Sequence, residues 1–152
     1  YSTATFADIN DPLRDQVRFN AGKPHPLPIT VKFISEALGK LRGLAAHSDQ
    51  GNEEKFLYRG MKNVSMPEEF LKKGGTELAP MSTTSDLKVA VQYSQGVNAV
   101  LLRLRTDSFI NRGPDISFLS AFPGESEYLF PCAPRPSMQP QYPARRHASP
   151  TL

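Results

Sequence analysis

Tryptophan is missing from this 152-residue chain, and cysteine occurs once, at Cys132. A lone cysteine excludes an internal disulfide and any Cys-x-x-Cys zinc or redox site; it is compatible with a reducing compartment. Long apolar runs are missing too. Ala99-Val100-Leu101-Leu102 is the longest clear stretch, and Arg103 ends it, far short of the ~20 residues that span a bilayer. No basic-then-apolar leader opens the chain. The expected location is therefore cytoplasmic, with no membrane contact. Tyr1-Ser2, where an initiating Met would stand, reads as a piece of a longer protein.

A charge excess is also lacking where it would matter. The formal net charge is +3. Residues 1–130 carry 15 Lys+Arg and 15 Asp+Glu, so the whole excess lies in Arg135, Arg145 and Arg146. A nucleic-acid footprint needs a basic stripe on the folded part, and no nucleic-acid partner is expected. The familiar glycine-rich phosphate and dinucleotide signatures are absent, as are H-E-x-x-H and G-x-S-x-G. Ser85-Asp86-Leu87-Lys88 fits S-x-x-K by letters but lacks its companion motifs. His25, His47 and His147 fall in a proline loop, a helix end and the last residues. That scatter suits solvated side chains, and no metal is expected.

What is present is an ordinary globular composition, 39% hydrophobic and 22% charged. The length suits one domain with its own core, and a monomer is expected. Six of the 14 prolines lie in residues 131–152. Proline removes backbone donors and blocks helix and central strand, so 132–152 reads as a disordered or extended proline-rich tail behind a domain spanning 7–131.

Within that domain, Asp11-Pro12 predicts the start of a short helix ending near Gly22. Lys23 to Pro28 is a proline-punctuated loop. Phe33, Ile34, Ala37, Leu38, Leu41, Leu44 and Ala45 recur at helical spacing, which predicts an amphipathic helix over 29–46. Phe56-Leu57-Tyr58-Arg59 reads as a strand ending at Gly60. Ser65 and Glu68 form a capping box before a short helix closed by Gly74-Gly75. Thr76 to Thr83 reads as extended, and Ser85-Asp86 caps a helix running to about Ser94. Val100, Leu102 and Leu104 alternate with Leu101, Arg103 and Arg105 as in a strand. The final strand is expected over Ser126 to Phe130. Mixed order makes the fold class α+β. A loop as long as 106–124 is usually functional or disordered, and Ile116, Phe118, Leu119 and Phe122 argue for a packed functional one.

Three segments carry candidate chemistry. Glu125 and Glu127 stand at i and i+2, which on a strand puts both carboxylates on one side, roughly 6.6 Å apart. That is the scale at which two carboxylates flank a glycosidic bond; spacing alone equally fits an exposed edge with two solvated acids. Arg59 ends a strand and offers a planar fork for phosphate or carboxylate, or is a plain surface arginine. Ser82-Thr83-Thr84 places three hydroxyls beside a helix start, able to orient a carboxylate or simply to end a strand and cap a helix.

Together and in this order, these segments resemble the arginine-specific mono-ADP-ribosyltransferases of the R-S-E type. In that family an Arg ends one strand, Ser-Thr-Ser lies centrally and Glu-x-Glu opens a later strand. Arg59, Ser82-Thr83-Thr84 and Glu125-Ser126-Glu127 match, with Thr84 in place of the third Ser. The resemblance extends to the 29–46 helix ending in Lys40-Leu41-Arg42, to Tyr58-Arg59-Gly60-Met61 and to Phe122-Pro123-Gly124, covering roughly 7–131.

The resemblance implies a mixed core of two small sheets around an NAD cleft. It implies transfer of ADP-ribose from NAD, a co-substrate, to an accessible arginine of a protein partner, with release of nicotinamide. Glu127 would hold the ribose and support the oxocarbenium, Ser82 would position Glu127, and Glu125 would orient the acceptor guanidinium. Arg59 would bind phosphates or ribose, beside Thr83. Gly60 would let the backbone approach the dinucleotide, Tyr93 would pack on nicotinamide, and Phe122 would lie in the acceptor-recognition turn. The same site also suits an NAD glycohydrolase or an inactive interaction module. The chain departs from the family after Phe130. Further strands are expected there, and Pro131-Cys132-Ala133-Pro134 follows instead, which predicts a truncated sheet with an exposed edge at the Glu127 strand.

Overall fold

The computed structural model describes residues 5–47 and 53–132. The expected tail falls outside the described residues from position 133 onward. Among the described residues five α-helices and four strands follow one another in mixed order, so the α+β class holds. The strands are β1 (Lys55–Lys62), β2 (Met81–Thr84), β3 (Ala99–Thr106) and β4 (Glu127–Phe130). They form a single antiparallel sheet in the order β3-β1-β2-β4. The expectation of two small sheets is not met among the described residues. Residues 107–126 instead form two 3₁₀ turns, Phe109–Asn111 and Pro123–Glu125, joined by irregular backbone.

α1 (Phe6–Arg14) begins earlier than Asp11-Pro12 predicts and holds Pro12 in its interior. Burial of Ile9 and Asn10 on one face outweighs the cost of the proline. The chain breaks at Asp15, whose carboxylate accepts the Arg18 amide and starts α2 (Gln16–Asn20). α3 (Pro28–Ala45) forms where the apolar spacing predicts a helix, but Phe33, Ala37 and Leu44 of that set are exposed. Leu38 packs with Ile116 and Leu129, flanked by Ile34 and Leu41. α4 (Glu68–Lys73) is preceded by Pro67 and makes no side-chain cap, so the Ser65–Glu68 capping box does not form. Gly74 does close that helix, at φ +75°. α5 (Leu87–Tyr93) is capped by Asp86, whose carboxylate accepts the Lys88 amide.

Leu57, Met81, Tyr128 and Phe130 make a second buried cluster, with Leu104 against it. The two clusters lie on opposite faces of β4, whose successive side chains point opposite ways, and Met81 ties β2 to that strand. Thr83 reinforces this tie, since its hydroxyl donates to the Tyr128 carbonyl at 2.9 Å.

β4 is the last strand in the sheet order, yet its outer edge is covered rather than exposed. The Leu129 amide donates to the Pro114 carbonyl, and the Ile116 amide donates to the Glu127 carbonyl at 2.9 Å. Asp115 and Tyr128 form a bridge. The long loop thus supplies the backbone partners that a further strand would have given. Its apolar residues divide: Ile116 is buried, while Phe118, Leu119 and Phe122 are exposed.

Candidate active site

β1 and β2 pair at Tyr58 and Thr84. Arg59 Nη1 donates to the Ser82 carbonyl at 2.7 Å, so a guanidinium takes up a β2 carbonyl. Arg59 is not at the strand end, since β1 continues three residues further to Lys62. A cleft of about 730 Å³ opens beside this junction. Arg59, Gly60, Ser82, Thr83, Tyr93, Phe122, Glu125 and Glu127 all line it, so the residues singled out from the sequence converge on one cavity.

Glu127 is the best-held of them. Antiparallel register places it opposite Thr84 on β2, with Ser82 opposite Leu129. Ser82 Oγ donates to Glu127 Oε1 at 2.7 Å, and Ser120 Oγ approaches Oε2 at 3.2 Å. The glutamate is 5% exposed. A carboxylate so deep is retained only where donors meet its lone pairs.

Glu125 does not stand on the strand with Glu127, which corrects the i, i+2 reading. It closes the 3₁₀ turn Pro123–Glu125, and Ser126 then turns through the left-handed region at φ +47° before β4 begins. The left-handed geometry, unusual for a residue with a Cβ, brings the two acids to the cleft from different elements. Thr84 braces this turn: its hydroxyl donates to the Glu125 carbonyl at 2.6 Å and accepts the Asp86 amide at 2.9 Å. The departure from Ser at this position therefore keeps a working hydroxyl.

Tyr93, the last residue of α5, donates its hydroxyl to Glu125 Oε1 at 2.8 Å. That hydrogen bond, with desolvation and the nearby Glu125 and Glu127 charges, raises the Tyr93 pKa. Gly60 has a packing role at the cleft wall. A Cβ there would lie 1.8 Å from the Ala90 carbonyl oxygen, so the missing side chain admits α5 against β1. The close approach at Gly60 is thus made by the helix that carries Tyr93. Thr83 also touches the cleft, but its hydroxyl is committed to Tyr128.

Two parts of the site were not singled out from the sequence. Arg14 of α1 grips Glu77 with two 3.0 Å hydrogen bonds, and the Ala79 amide donates to the same carboxylate. Burial alone would raise the Glu77 pKa. The Arg14 hydrogen bond, the Ala79 amide and the Arg14 and Arg59 charges outweigh it, and the net shift is downward. Arg14 and Glu77 line the cleft 63 residues apart in sequence, a pairing no local pattern signals. Ser120 is the other. Its only sequence signal is its place in a long loop with apolar residues.

Among the described residues no helix is long and apolar enough to cross a membrane, and no group of His, Cys, Asp or Glu is arranged to hold a metal ion. No protein-family model, curated protein or solved structure matches the chain.

Proposed function

We propose that the cleft binds NAD and that the protein transfers ADP-ribose to an arginine side chain of a protein. The observation that carries this reading is Glu127, buried and held through both carboxylate oxygens at the wall of a cleft that also presents Arg59 and Glu125. Its volume, about 730 Å³, falls in the usual range of small-molecule sites. A carboxylate held in place beforehand stabilises positive charge that develops in a transition state without reorganising.

In the proposed reaction the bond between ribose C1′ and the nicotinamide nitrogen breaks. Its electron pair goes to the ring, which leaves neutral. Glu127 stabilises the oxocarbenium at C1′. A guanidinium nitrogen of the acceptor attacks, forming the new C–N bond, and a proton passes to Glu125. Because an arginine keeps its proton at any working pH, proton loss accompanies attack. Arg59 offers positive charge for the diphosphate.

Tyr93 favours a second reading. Its hydroxyl already occupies Glu125 Oε1, so the acid assigned to the acceptor is engaged before any arginine arrives. Water as acceptor, giving an NAD glycohydrolase, needs no such exchange.

The test is incubation with NAD, with and without an arginine analogue such as agmatine, measuring free nicotinamide and ADP-ribosylated product. Nicotinamide release that Glu127→Gln reduces by at least ~10²-fold supports the reading. Release without product on agmatine selects the glycohydrolase. Absence of release from the parent protein, or activity of Glu127→Gln within threefold of parent, overturns it.

A further inference from the structure

Ser120 belongs to the loop that covers β4, not to any of the segments with candidate chemistry. It is nonetheless buried, at 9% exposure, and its hydroxyl stands between two groups of different kinds. On one side is Glu127 Oε2 at 3.2 Å. On the other is the backbone amide of Phe122 at 3.1 Å, donating to Ser120 Oγ. A serine hydroxyl has one proton and two lone pairs. An ionised carboxylate can only accept and an amide can only donate, so the proton goes to Glu127 and a lone pair receives Phe122.

The loop around this serine is tied to the core. The Leu119 and Ser120 amides both donate to the carbonyl of Ile116, at 2.8 and 3.0 Å. Ile116 is itself buried against Leu38 and Leu129. Beyond this anchor the loop presents Phe118, Leu119 and Phe122 to solvent, at 70%, 66% and 53% exposure. The Glu125 amide donates to the Phe122 carbonyl at 3.0 Å, so the turn bearing Glu125 starts from the residue that Ser120 holds.

Ser82 and Ser120 both help to orient Glu127, one at each carboxylate oxygen. The last torsion of a glutamate is broad. A donor on one oxygen leaves the carboxylate free to swing about that contact. A second donor on the other oxygen fixes its plane. Ser82 comes from β2, whereas Ser120 comes from the loop.

We propose that Ser120 is a positioning residue that sets the plane of the Glu127 carboxylate and couples it to the Phe122 turn through one hydroxyl. Movement of that turn, as when an acceptor protein presses on its exposed apolar side chains, reaches Glu127 through Ser120. The catalytic consequence rests on the reading of the cleft as an NAD site; the coupling itself does not.

Two measurements test it. In the first, the Phe122 amide resonance is followed by NMR in the parent, Glu127→Gln, Ser120→Ala and the double variant, without any ligand. Ser82 and Ser120 meet different oxygens of Glu127; glutamine carries an amide nitrogen at one of these positions, so one of the two serines meets a donor in place of an acceptor. Glu127→Gln is expected to shift the Phe122 amide and speed its hydrogen exchange, and to add nothing once Ser120 is alanine. An unchanged Phe122 amide in Glu127→Gln, or an equal shift in both backgrounds, overturns the coupling.

In the second, NAD turnover is compared in the parent, Ser120→Ala and Ser120→Thr. Ser120→Ala is expected to lower kcat by ~10-fold or more, towards the ~10²-fold that misplacing a reacting group by 1 Å costs. The KM for NAD is expected to stay within about twofold, and Ser120→Thr is expected to recover most of kcat because it restores the hydroxyl. Equal kcat in Ser120→Ala and parent overturns the positioning role. A parent that releases no nicotinamide overturns the NAD reading instead, and the NMR arm still decides the coupling.

Discussion

Substituting Gly60 by alanine puts a methyl where α5 crosses β1. The new Cβ would lie 1.8 Å from the Ala90 carbonyl oxygen, 2.8 Å from the Ala90 carbonyl carbon and 2.9 Å from the Ser94 amide nitrogen. All three atoms are backbone, so no rotamer change relieves the collision. Even a close C···O contact needs roughly 3.3 Å, which requires α5 to retreat on the order of 1.5 Å. Over-packing a well-filled site typically costs ~1–3 kcal/mol, occasionally more, and an obstacle made of helix backbone places this one at about 3 kcal/mol. Out of a total of about 5–15 kcal/mol for a domain, that is a large share. The retreat also carries Tyr93 away from Glu125, so their 2.8 Å hydrogen bond opens. The assay is equilibrium urea unfolding followed by circular dichroism. Gly39→Ala and Gly43→Ala serve as controls, because nothing lies within 4 Å of a Cβ at either position in α3. Those two are expected to stabilise, by up to ~1 kcal/mol each, through helix propensity. A Gly60→Ala protein within about 0.5 kcal/mol of the parent, the scatter of an innocuous surface change, would refute the reasoning.

Further outcomes follow from the same geometry. Glu125→Gln is expected to abolish transfer to agmatine while leaving most NAD hydrolysis, since Glu125 reaches the cleft from the turn after Phe122 and Glu127 from the strand; equal loss of both activities would place Glu125 on NAD itself. The Glu77 pKa lies below its ordinary 4.5 in the folded protein, so the Arg14 ion pair stabilises fully above that ordinary value and its contribution is lost as pH falls through the folded pKa. Unfolding midpoints at neutral and acid pH should therefore converge in Glu77→Gln relative to the parent; about 1 kcal/mol is at stake, because Arg14 is 36% exposed. Tyr93→Phe is expected to leave stability within about 0.5 kcal/mol, as befits a side chain 53% exposed. It should raise agmatine transfer relative to hydrolysis by freeing Glu125, and an unchanged ratio would mean that the hydroxyl does not compete with the acceptor.

Where the physics is local, the sequence by itself determined much of this protein. The apolar spacing of Ile34, Leu38 and Leu41 predicts α3 and its buried face, because a helix repeats every 3.6 residues whatever it packs on. The alternation through Leu102 and Leu104 predicts β3, and Asp86 and Gly74 mark helix ends because a short carboxylate and a missing Cβ act on their own backbone. The resemblance that their order carries also nominated Arg59, Ser82, Glu125 and Glu127, which line one cleft. Other features were settled only by tertiary structure. Burial of Ile9 and Asn10 carries α1 through Pro12, against the local signal. Glu125 leaves the strand because the Pro123–Glu125 turn and Ser126 bend the chain beneath Thr84. The loop at Pro114–Ile116 covers the β4 edge, where the sequence had suggested an open one. Gly60 is glycine because of a helix carbonyl 30 residues away. Glu127 meets Ser82 across 45 residues and Arg14 meets Glu77 across 63. Such pairings depend on strand order and register, and a single side chain carries no record of the partner that folding will bring to it.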